Sequence, residues 1–101
     1  MISFERSTSF NDWLKALKDR TAQQRLIARI RSAERGNFGD CDAVGEGVFE
    51  MRVHYGPGYR IYLKRHGDVI YLLLLGGDKS TQTRDIKRAK DMAKTLYARE
   101  R

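Results

Sequence analysis

Cysteine is almost absent: Cys41 stands alone in 101 residues. No intramolecular disulfide can form, and a zinc site of four cysteines is excluded. Such a chain suits a reducing compartment. Histidine is nearly as scarce, with only His54 and His66, and both lie far from Cys41 in sequence, so neither a metal nor any other cofactor is expected. Long apolar runs are missing as well. The longest, Val69–Leu75, is far too short to span a bilayer, and the opening MISFERSTSF has no apolar h-region of a secretory signal. The expected location is the cytoplasm, with no membrane partner. Negative charge is in deficit too: 13 Asp and Glu face 20 Lys and Arg, for a formal charge of +7 and a pI of about 9.9. Such a surplus calls for a polyanionic or acidic partner. The length fits one domain, residues 1–101, with a small core.

What is present centres on residues 47–82. Val48–Tyr55, Tyr59–Arg65 and Val69–Leu75 read as an antiparallel meander, punctuated by Gly56-Pro57-Gly58, His66-Gly67 and Gly76-Gly77. Side chains alternate between faces along a strand. Phe49, Met51, Val53, Tyr55, Ile61 and Leu63 therefore make an apolar face. Glu50, Arg52, His54, Arg60, Tyr62 and Lys64 share the opposite one. That face is either a solvated surface or a platform for phosphate, because neighbouring cations repel unless an anion comes between them. The third strand is apolar on both sides. The same parity places Leu73 and Leu75 on the polar side, where the C-terminal segment or another protein must cover them.

The rest of the chain supplies helices. Ile2 and Phe4 alternate with polar residues in a short first strand. Ser9 with Asp12, and Thr21 with Gln24, resemble capping boxes opening two helices. The first buries Phe10, Trp13, Leu14 and Leu17; the second buries Ala22, Leu26, Ile30 and Ala33 and stops at Gly36. Arg25, Arg29 and Arg31 occupy the second helix's surface. Residues 37–47 read as a glycine-rich loop, without the Gly-Lys-Ser/Thr of a phosphate-binding loop. Cys41, with no base nearby, is not a nucleophile candidate. After Asp78-Lys79-Ser80-Thr81-Gln82 a last helix buries Ile86, Ala89, Met92, Ala93, Leu96 and Tyr97. It displays Arg84, Lys87, Arg88, Lys90 and Lys94. The expected class is α+β.

This order, together with GNFGD (36–40), VGEGVFEMR (44–52), YGPGYRIYL (55–63) and GGDKSTQTRDIKRAK (76–90), resembles the RelE/ParE toxin superfamily, and within it the HigB-like addiction module killer proteins. The resemblance implies a RelE-like fold and the toxin of a type II toxin–antitoxin pair. Its antitoxin would be a helix-turn-helix DNA-binding protein, and its target mRNA on the ribosome. It implies catalytic roles for Arg52, Arg60, Lys79 and His54 in metal-independent RNA cleavage, with Tyr62 stacking on a base and Lys64, Glu50 and Arg84 binding RNA. The chain has no histidine after His66, unlike relatives whose acid is a late histidine. His54 and Glu50 thus remain the candidates for proton transfer. Two other readings stay open: a ParE-like toxin that binds DNA gyrase through Leu73, Leu75 and the basic C-terminal helix, and a nucleic-acid-binding module without catalysis.

Overall fold

The computed structural model describes residues 2–67 and 70–99. The order of elements is β1 (Ser3–Arg6), α1 (Thr8–Ala16), α2 (Arg20–Glu34), β2 (Cys41–Gly45), β3 (Val48–Val53), β4 (Tyr59–His66), β5 (Ile70–Asp78), a single 3-10 turn (Lys79–Thr81) and α3 (Gln82–Arg99). The strands form one sheet in the order β1-β5-β4-β3-β2, antiparallel except for β1 beside β5. This is the α+β, RelE-like arrangement expected from the sequence. Among the described residues no helix is long and apolar enough to cross a membrane.

The helix starts lie slightly upstream of those read from the sequence. Ser7, not Ser9, caps α1: its Oγ accepts from Phe10 N–H at 3.0 Å and donates to the Leu74 carbonyl at 2.7 Å. Asp19, not Thr21, caps α2, accepting from Ala22 N–H at 3.2 Å. Each cap satisfies an amide that the first helical turn leaves open. Ser7 also fastens the start of α1 to β5, an inner strand of the sheet.

The helical hairpin covers one face. Phe10, Leu14, Leu26 and Ile30 pack there with Met51, Ile61, Leu63 and Leu73, all buried. Each such side chain contributes about 1.5–3 kcal/mol relative to exposure. On the other face the C-terminal helix supplies the cover that the apolar third strand calls for: α3 lies across it, packing Ala89 and Ala93 on Val48, Tyr62, Leu72, Leu74 and Leu75. The side chains of Leu96 and Tyr97 lie outside the described residues, as does Val69.

Three corrections concern the sheet. Residues 41–45 form an edge strand rather than loop; its sequence CDAVG is mostly exposed and carries little apolar signal. A bulge falls between Tyr62 and Leu63, because Tyr62 pairs with Leu75 while Leu63 pairs with Leu73. The extra residue, Leu74, reverses the parity upstream of it. Leu73 therefore faces the helical hairpin, and of the pair expected on the polar side Leu75 alone packs under α3, beside Leu72 and Leu74. Finally, β5 runs on through Gly76 and Gly77, which the sequence reads as a turn. A Cβ on Gly76 would collide with the Trp13 ring, and one on Gly77 with an Asp85 oxygen. These glycines admit close neighbours to the strand.

Candidate functional site

Arg52 on β3 and Arg60 on β4 are directly paired across the sheet, one residue from the turn that joins the strands. Two like charges so placed repel. The chain itself supplies the intervening anion. Glu50, 1% exposed, holds Oε1 3.3 Å from Arg52 Nε and Oε2 3.5 Å from Arg60 Nε. The Tyr62 hydroxyl donates to the same carboxylate at 3.0 Å, and the Gln82 side-chain amide donates to it at 3.0 Å. Glu50 is thus the hub of a buried polar network linking β3, β4 and the first residue of α3.

A second carboxylate extends the network outward. Asp40 Oδ1 accepts from Arg52 Nη1 at 2.8 Å, and its Oδ2 lies 2.6 Å from His54 Nε2. Asp42 adds a contact to Arg52 at 3.0 Å. The His54 hydrogen bond and the Arg52 guanidinium hold the Asp40 carboxyl below the usual range. The carboxylates of Asp42 and Asp40 raise the Arg52 guanidinium further above its normal value. The resulting sequence of contacts runs His54–Asp40–Arg52–Glu50–Arg60.

Arg29 explains why Asp40 is in place. Its guanidinium donates to the carbonyls of Phe38 at 2.9 Å and Arg52 at 3.0 Å, clamping the segment before β2 onto the end of β3. A Cβ at Gly39 would run into the Arg29 guanidinium, and Gly39 has a φ of 63°. The left-handed backbone favours glycine there, while the Arg29 contact is with the movable end of a side chain. Arg25 stacks over the Tyr55 ring at 4.7 Å.

Lys79 joins the cluster from the turn that follows β5. It is exposed, and a Cβ at Gly58 would meet Arg60 Nη1 at 3.6 Å and Lys79 Cβ at 3.7 Å, which places the Arg60 guanidinium and the base of the Lys79 side chain together beside the β3–β4 turn. Arg60 donates to the Gly58 carbonyl at 3.1 Å, while its buried Nε has no hydrogen-bond partner among the described residues. His54 is 75% exposed, so one face of the imidazole meets solvent.

The structure brings Arg52, Arg60, Lys79 and His54 to one end of the sheet and separates the other expected residues. Tyr62 is fully buried under α3 and cannot offer its ring to a base. Burial, and then its bond to Glu50, push the phenol well above its usual range. Glu50 is equally inaccessible to RNA and serves as counter-ion to both arginines. Lys64 pairs with Val48 at the far end of β4, where its Nζ approaches Gly47. Arg84 lines a separate cleft beside Trp13. Asp40, Asp42 and Gln82 were not singled out from the sequence, although Asp40 and Gln82 lie in the segments GNFGD and GGDKSTQ that carry the resemblance. Burial raises the Cys41 thiol, which disfavours its reactive thiolate. No group of three His, Cys, Asp or Glu side chains among the described residues is arranged to hold a metal.

Residues 12–98 match the family described as "Phage derived protein Gp49-like". An uncharacterized protein of Haemophilus influenzae is 46% identical over 95 residues, covering 94% of this chain and 96% of that protein. The chain therefore belongs to the Gp49-like family of phage-derived proteins, a toxin-like family of the RelE/HigB-like superfamily.

Proposed function

We propose that the protein, acting as a single domain in the cytoplasm, is the toxin of a type II toxin–antitoxin pair and cuts mRNA on the ribosome. The observation that carries this reading is the contact sequence His54–Asp40–Arg52–Glu50–Arg60. It fixes two guanidinium groups and an accessible imidazole at one end of the sheet, with Lys79 beside them. The toxin-like family supports a cognate antitoxin, for which we expect a helix-turn-helix DNA-binding protein.

In this reading the 2′-hydroxyl attacks the adjacent phosphorus and the P–O5′ bond breaks. With Nε2 engaged by Asp40, His54 takes the 2′-hydroxyl proton on Nδ1. Arg60 and Arg52 stabilise charge on the non-bridging oxygens from positions fixed beforehand. Lys79 delivers a proton to the leaving 5′-oxygen. The products are a 2′,3′-cyclic phosphate and a 5′-hydroxyl, and no metal takes part. Glu50 never meets the substrate; it keeps the arginines from separating.

Brief induction in growing cells, followed by mapping of new RNA 5′ ends and their chemistry, tests the proposal. New 5′-hydroxyl ends inside translated frames are expected, and they disappear with Arg60→Ala. Growth arrest without such ends contradicts it; inhibition of supercoiling by the purified protein would then support the gyrase reading.

A further inference from the structure

The first turn of α3 has two sides. Gln82 reaches toward Glu50. Asp85, Arg84 and Arg88 instead line a cleft of about 460 Å3 between α3 and Trp13 of α1, bordered below by Gly76 and Gly77. Pairing of β1 with β5 ends at Leu73, so the later residues of β5 border this cleft without a strand beside them on that side.

Asp85 is the unusual group. It is 4% exposed, yet it accepts a single hydrogen bond among the described residues, from the Thr81 hydroxyl to Oδ2 at 2.5 Å. Its Oδ1 has only Arg84 Nε at 3.7 Å, beyond hydrogen-bond range. Among the described residues no Asp85 oxygen is both fully buried and unpartnered, so its remaining acceptor capacity opens onto the cleft and can take a donor from a bound molecule. Gly77 makes the space for it, and Trp13, partly exposed against Gly76, supplies an aromatic wall.

We propose that this cleft binds a guanine nucleotide, with the base against Trp13, its N1–H and N2–H donors on Asp85, and its phosphate on Arg84 and Arg88. A bare phosphate inside would meet Asp12, Asp78 and Asp85, and a cationic side chain would meet the two arginines at the mouth. Guanine satisfies both halves. It presents two adjacent donors on one edge, where adenine, cytosine and uracil offer a single donor group, and its phosphate remains outside for the guanidinium groups. The volume is in the range of small-molecule sites. A preference for guanine beside the cut rests on the ribonuclease reading; the nucleotide pocket does not.

Trp13 is the only tryptophan in the chain, so its fluorescence reports on this cleft. The full chain is titrated with GMP, AMP, CMP and UMP. GMP is expected to change the emission with an affinity about tenfold or more above the others, the worth of a hydrogen bond to a charged group. Asp85→Asn removes that preference. If Asp85→Asn does not fold, Arg88→Ala serves: this exposed position is expected to lower GMP affinity to that of guanosine. Equal responses to all four nucleotides, no response, or a stronger response to free arginine than to GMP would each overturn the proposal. RNA cleavage without a GMP response rejects the pocket alone. A GMP-specific response in a protein that cuts no RNA keeps the pocket and rejects the ribonuclease.

Discussion

Arg52 and Arg60 face each other across β3 and β4, and the repulsion between them is relieved by a carboxylate that the fold buries between their Nε atoms. Glu50 accordingly holds the site and its surroundings together at once. Glu50→Ala leaves Arg60 largely buried without its counter-charge and should destabilise the protein by about 3 kcal/mol. Urea unfolding measures this. A loss under about 0.5 kcal/mol, the level of an ordinary surface change, would show that the arginines do not depend on Glu50.

Tyr62→Phe separates the buried role of this residue from base stacking. It removes one hydrogen bond to Glu50, so stability should fall by about 1 kcal/mol, while RNA affinity stays unchanged. A drop in affinity at unchanged stability would restore Tyr62 to the binding surface. The phenol also carries a pH signature. Its folded value is raised above the unfolded value of about 10 by burial and by Glu50. The associated stability is complete below about pH 10 and is lost as pH rises beyond it. Tyr62→Phe should flatten that alkaline decline.

Asp40 gives the opposite sign. Its folded value is lowered by the hydrogen bond to His54 and by Arg52, so its contribution is present above the unfolded value of about 3.9 and lost as pH falls through the folded one. Carboxyl NMR titration should place Asp40 below an ordinary aspartate, and His54→Ala should move it upward. No upward movement would mean that His54 and Asp40 are not joined in solution.

Gly76→Ala would drive a methyl group into the Trp13 ring. Overpacking of this kind costs about 1–3 kcal/mol. Thermal unfolding and Trp13 emission should change together. An unaltered melting curve would contradict the close seating of Trp13 on β5.

The meander, its polar and apolar faces and the helical hairpin were legible because alternation and helical spacing are local signals. So were Arg52, Arg60, Lys79 and His54 as a group. What escaped depends on contacts distant in sequence. Glu50 and Tyr62 sit at polar-face positions, and only the path of α3 over them shows that they are buried. Leu74 enters the ladder as a bulge, which no alternation rule foresees in a run of four leucines. Gly76 and Gly77 read as a turn because their Trp13 and Asp85 neighbours come from two different helices. Asp40 lies in a segment whose glycines suggest loop, and Arg29, 11 residues earlier, fixes it.

The central claim is that the Arg52–Arg60 cluster cuts RNA. Its most direct test is cleavage of a defined mRNA on programmed ribosomes by purified wild-type protein and by Arg60→Ala, with both folds verified by circular dichroism. The account predicts 5′-hydroxyl fragments from the wild type and a rate about 100-fold or more lower for Arg60→Ala, as expected when a preorganised charge contact is removed. Equal rates, or no cleavage by a wild-type protein that still arrests growth, would contradict it.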